Sequence, residues 1–206
     1  MAAAAHLGTA HHEDEHHHGP PEANRSSRVD PSTLGMMLFI ISEIMVFGAF
    51  FTAYFFVRVV QGAEWPAEGD HLPKVIAGFN TAVLVSSSFT MHWALEAAKA
   101  GNRRGLQAGI LTTFLLGATF LFVQVNEYVH IGFSPQDSAQ GTVFYGLTGL
   151  HGAHVTIGLM LLSFVTIRAF RGHYSSGHHL GMEVPGIYWH FVDVMWIFVY
   201  SSLYLL

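Results

Sequence analysis

Twelve polar residues sit inside long apolar runs of this sequence, where water is scarce. They are Ser42 and Glu43, Asn80, the serines 86–88, Gln124 and Glu127, His151 and His154, and His190 and Asp193. Ionisable groups at membrane depth are costly and normally face protein or a wet cavity. Gln124/Glu127, His151/His154 and His190/Asp193 are three apart, so on helices each pair projects to one side. Three kinds of chemistry compete for them. His151, His154 and Glu43 have the types of a two-histidine, one-carboxylate metal site. His92 and His190 could be axial ligands of a haem in an electron carrier. A file of carboxylates and imidazoles could carry protons in a transporter, though five single-copy spans without repeats or broken helices argue against that. Against all three stands a structural reading, in which hydrogen bonds pin helix to helix. It is favoured for Asn80, the serines, Gln124 and Glu127. Trp189, Phe191, Trp196 and Phe198 read as packing residues.

The elements that must position these groups are five apolar spans, at about 34–57, 75–98, 106–129, 143–167 and 184–206. Each has 23 residues or more, enough for roughly 35 Å of helix and a crossing with some tilt. Backbone groups in lipid need partners within their own segment, so each span is expected to be helical. Asp30-Pro31-Ser32 is a helix start for the first. On that helix Glu43 shares a stripe with Ile40, Phe47, Phe50 and Tyr54. Counted from the span ends it lies at the depth of His151 and His154, so a Glu–His contact between first and fourth helices is within reach. Gly149, Gly152 and Gly158 would let a neighbour approach closely.

Composition agrees. The chain has 206 residues, of which 51% are hydrophobic and only 11% charged; soluble domains carry about 25% charged residues. The expectation is an all-α integral membrane bundle of five transmembrane helices. Without cysteine there can be no disulfide and no thiolate-held cluster. Net charge is −5 and the nine Lys and Arg form no stripe, which excludes a nucleic-acid surface. Residues 1–30, with "HLGTAHHEDEHHHGPPEANRSS", read as a disordered histidine-rich tail with no specific metal role and no signal-peptide core. Arg25, Arg28, Lys99, Arg103, Arg104, Arg168 and Arg171 fall on one side of the spans, against Arg58 and Lys74 on the other. The positive-inside rule then predicts a cytoplasmic N-terminus and an external C-terminus. Trp65, Tyr128, Tyr174 and Tyr204, near span ends, fit an interfacial aromatic belt.

Beyond these arguments, five strings resemble subunit III of the haem–copper cytochrome c oxidases: "LFIISEIMVFGAFFTAYFF", "FNTAVLVSSS", "QVNEY", "TGLHGAHVTIG" and "YWHFVDVMWIFVYSSLY". The likeness runs from Leu34 to the last residue, in order. It implies a subunit that itself holds no haem or copper, those being expected in partner subunits. It further implies packing beside catalytic subunit I, in a complex with subunit II, together with phospholipid binding and support of proton uptake. The likeness is to the five-helix bacterial form, hence a bacterial plasma membrane, and the two helices that wall a lipid cleft in the seven-helix form are missing. Glu43 matches the family's carbodiimide-reactive membrane glutamate, and His151, His154, His190 and Asp193 match its signature positions. The two histidines would then be structural, hydrogen-bonding across the bundle and orienting Glu43 and nearby lipid. Quinol oxidase subunit III, and the related accessory protein of nitric oxide reductase, remain open alternatives.

Overall fold

In the computed structural model the described residues are 30–60, 72–172, 174 and 180–206. The readings of the tail and of Trp65 lie outside them. From Pro31 onwards they form one compact unit of five helices: α1 (Pro31–Phe55), α2 (Lys74–Lys99), α3 (Arg103–His130), α4 (Ala139–Phe170) and α5 (Leu180–Tyr200). Wider π-helical turns extend α1 over Phe56–Val60 and α5 over Ser201–Leu205. No strand occurs among the described residues. The expected all-α bundle is present, with each helix a few residues longer than its apolar run.

Local chemistry explains the tightest connection. After α2, Gly101 adopts a left-handed φ of +70°, which costs glycine nothing. Asn102 N then donates to Ala97 O at 2.8 Å and Gly101 N to Ala98 O at 3.0 Å, the doubled bond pattern of a Schellman stop. The Asn102 side chain also accepts from Gly105 N at 3.0 Å, so one residue closes α2 and caps α3. The hairpin can be tight because Gly109 lies against Ala94: a Cβ there would meet the Ala94 Cα at 3.0 Å. Small residues at a crossing are how membrane helices approach without a hydrophobic drive between them.

Three helices, α1 with its extension, α3 and α4, are long and apolar enough to cross a membrane by composition alone. α2 and α5 fall short by the same measure, and the packing shows how their polar side chains are accommodated. Their polar side chains are spent on one another: the Trp189 indole N–H donates to Ser87 Oγ and that of Trp196 to Thr81 Oγ1, each at 2.9 Å. Trp189 also fills the notches left by Gly117 and Gly158, where a Cβ would lie 2.5 and 2.8 Å from its ring. So Trp189 and Trp196 do more than pack. Phe198, by contrast, is 58% exposed and faces outwards, which corrects the packing expectation for that residue.

The belt expectation also needs correction. Tyr204 and Tyr174 are buried, because Tyr204 hydrogen-bonds inwards and Tyr174 lies beneath the Arg168 guanidinium. α1 is the least covered helix, burying only Phe47 and Tyr54, and it packs on α4 and α5.

Candidate functional site

α1 and α4 meet at a carboxyl–imidazole contact. Glu43 Oε2 lies 2.9 Å from His154 Nε2, with the Glu43 side chain 18% exposed and that of His154 8%. The other ring nitrogen, Nδ1, is 2.8 Å from Leu150 O, one turn back along α4. A carbonyl can only accept, so Nδ1 must carry a hydrogen. Either Nε2 is bare and accepts from a protonated Glu43, or both ring nitrogens are protonated and Glu43 is ionised. In both arrangements the pair holds one proton across the 2.9 Å gap and no net charge. Phe47 closes the site with its ring centroid 5.1 Å from the imidazole, and Tyr188 OH donates to His154 O at 3.2 Å.

His151 is not part of this pair. Residues three apart on a helix are offset by about 60° around the axis, and that offset turns His151 from α1 towards α3 and α5. Its ring lies 4.7 Å from Trp196 and 5.7 Å from Phe120, the latter edge-on. Neither ring nitrogen has a hydrogen-bond partner among the described residues. The expectation that both histidines bond across the bundle and orient Glu43 therefore holds for His154 alone. The same divergence separates the ligands imagined for a metal, and no three His, Asp or Glu side chains converge among the described residues. Ser42 is also apart: exposed, it donates to Phe39 O of its own helix at 2.6 Å.

A second polar node joins α2 to α5. Ser88 Oγ donates to Asp193 Oδ2 and lies 3.1 Å from His190 Nδ1. With the hydroxyl hydrogen committed to the carboxylate, His190 Nδ1–H is the donor to Ser88 Oγ. The order is Asp, Ser, His, whereas an activated serine needs the imidazole between the other two. No nucleophile results, and His190 Nδ1 is occupied. His92 is exposed on α2.

The remaining polar residues tie helices together. Asn80 Nδ2 donates to Phe120 O of α3 at 3.1 Å. Glu127 Oε1 accepts from Tyr204 OH at 2.9 Å, and Gln124 is buried facing Tyr128 and Tyr204. Four participants escaped the sequence reading: Leu150 O, Tyr188, Ser88 as the shared partner, and Tyr204. A backbone carbonyl has no sequence signal at all, and Tyr188, the first residue of the fifth-helix block, has only its hydroxyl to mark it.

With this geometry in view, comparison with known proteins becomes informative. The family model described as cytochrome c oxidase subunit III matches residues 22–206. The chain belongs to the cytochrome c oxidase subunit III family. Among proteins named cytochrome c oxidase subunit 3, that of Lumbricus terrestris is 43% identical over 176 residues, 82% of this chain and 68% of the relative. That of Thermostichus vulcanus is 40% identical over 178 residues, 86% and 88%. That of Oryctolagus cuniculus is 39% identical over 176 residues, 82% and 67%. As a subunit III relative, the chain is a membrane protein and a member of an oxidase complex.

Proposed function

We propose that the chain is the non-redox subunit III of a proton-pumping haem–copper terminal oxidase in a bacterial plasma membrane. It packs beside catalytic subunit I, in a complex with subunit II, binds phospholipid and supports proton uptake during cytochrome c oxidation and oxygen reduction. Its N-terminus is cytoplasmic and its C-terminus external. It holds no haem or copper of its own; those belong to the partner subunits.

The observation that supports this reading is the Glu43–His154 pair. It stores a proton at membrane depth without net charge, so desolvation does not penalise it as it would a lone ion. It lies on α1, the helix left most open to its surroundings. Such a group can supply or buffer protons for a neighbour while doing no redox chemistry itself.

The test is purification of the complex through a tag on this chain. The expected result is co-purification of a haem-bearing subunit and a second with a dinuclear copper motif, oxidising reduced cytochrome c. Stripping the chain should leave the initial oxygen consumption largely intact but shorten the active lifetime. Turnover with quinol and no copper subunit would assign the chain to a quinol oxidase instead. A complex without haem would overturn the reading.

A further inference from the structure

We propose that the end of the bundle where α2 begins and α3 stops binds a divalent cation of the zinc class, held by the Glu127 carboxylate and the His130 imidazole.

A pocket of about 250 Å³ opens at that end, with Glu127 and His130 both in its wall. Pro73 and Ile76 on one side and Val123 on the other make the rest of the wall largely apolar. Glu127 and His130 stand three apart on the last turns of α3, so their side chains leave the same face with Cβ atoms about 5–6 Å apart. Helical bundles use this glutamate–histidine spacing to hold metal ions.

Each side chain has one polar atom tied back to the protein, which leaves the other for an occupant. The Tyr204 hydroxyl donates to Glu127 Oε1 at 2.9 Å. Glu127 Oε2 has no hydrogen-bond partner among the described residues, although the residue is only 6% exposed. An acceptor stranded in this way is costly, and a cation in the pocket would satisfy it. On His130, Nδ1 lies 2.8 Å from Asn126 O. A carbonyl only accepts, so Nδ1 carries the hydrogen, and the neutral ring keeps its lone pair on Nε2. Metal-binding histidines are oriented by this kind of bond from the ring nitrogen that faces away from the metal.

The ligand types select the ion. Magnesium and calcium take oxygen, whereas an imidazole beside a carboxylate suits zinc. Lys74, next to Pro73, does not neutralise the carboxylate, since it makes no ion pair among the described residues. Two protein ligands leave two of the four positions that zinc prefers to water, in keeping with the absence of any three converging His, Asp or Glu side chains among the described residues.

The test is equilibrium dialysis of the assembled complex against radioactive zinc, with bound metal counted per haem. Wild type is compared with Glu127→Gln, His130→Gln and Tyr204→Phe, and with His92→Gln, which removes an exposed histidine elsewhere. The histidines of residues 1–30 are the same in every sample, so the site is read as the difference between them. Loss of a ligand's outer partner weakens metal binding by about 10–100-fold. Tyr204→Phe should therefore weaken zinc binding by about tenfold, and each ligand variant by about 100-fold or more. His92→Gln and a large excess of magnesium should leave the site filled. Equal zinc retention in wild type and either ligand variant, an equal loss in His92→Gln, or displacement by magnesium would overturn the proposal. Because His130 is exposed, His130→Gln carries the test even if Glu127→Gln fails to assemble.

Discussion

Glu43 Oε2 and His154 Nε2 lie 2.9 Å apart, and a third atom, Leu150 O, fixes how many protons they hold. Because Leu150 O occupies the Nδ1 hydrogen, the pair cannot become a bare imidazole beside a bare carboxylate without losing a bond. Glu43→Gln keeps a donor facing Nε2 and the same shape. Assembly and initial oxygen consumption should stay within about twofold of wild type. Glu43→Ala leaves a buried imidazole nitrogen unpaired, at a cost of about 1–3 kcal/mol, and should shorten active lifetime more than it lowers the initial rate. Oxygen consumption followed to its decay, with haem content checked first, measures both. Abolition of the initial rate in an intact Glu43→Gln complex would make Glu43 an obligatory proton carrier and refute the supporting role.

The node at Ser88 makes a prediction of opposite signs. Ser88→Ala removes the donor to Asp193 and the acceptor of His190, so the bundle should lose about 1–3 kcal/mol. Replacing both partners, Ser88→Ala/Asp193→Leu, should recover part of that loss, since no carboxyl is left stranded. Thermal unfolding of the chain in detergent, in all three forms, decides it; a double variant worse than the single would mean the carboxyl has another essential partner.

Glycines divide sharply by what surrounds them. Gly117 and Gly158 face the Trp189 ring, whereas Gly149 has nothing within 4 Å. Alanine at either of the first two should cost about 1–3 kcal/mol through overpacking, and alanine at Gly149 should be neutral or mildly favourable. The melting temperatures of the three variants check this ordering, and equal melting temperatures would show that Trp189 can move aside.

The charge asymmetry predicts topology. A reporter active only outside the cytoplasm should give signal when fused after Leu206 and none when inserted near Arg103. The reverse pattern would place α1 and the whole bundle upside down.

How much of this was legible in the sequence depends on the range of the interaction. Helix existence was clear, since backbone satisfaction in lipid leaves one choice for a run of over twenty apolar residues. The Glu43–His154 contact was legible as a pairing of depths, but not which histidine would make it. His151 and His154 carry the same chemistry, and only the rotation of α4 about its axis separates them. That rotation is set by Trp189 in the notches of Gly117 and Gly158, a packing fact involving three helices. Tyr204 at a span end resembled a belt residue because sequence gives position along a helix and says nothing of the neighbour, Glu127, that draws it inwards.

The sparse coverage of α1 sets the order in which the subunit can be finished. Its cross-bundle hydrogen bonds reach forward 111 residues, from Glu43 to His154, and 148 residues, from Tyr54 to Ser202. When α1 leaves the ribosome its docking surface has not yet been translated. It must wait in the bilayer while α2 and α3, joined by the short turn at Gly101, close on each other. The first helix made is the last to be seated, and Tyr54, with Arg58 beside it, can latch only once Ser202 has been synthesised. A chain stalled before α4 would keep α1 adrift, with its apolar face and its glutamate open to whatever the insertion machinery or a protease offers.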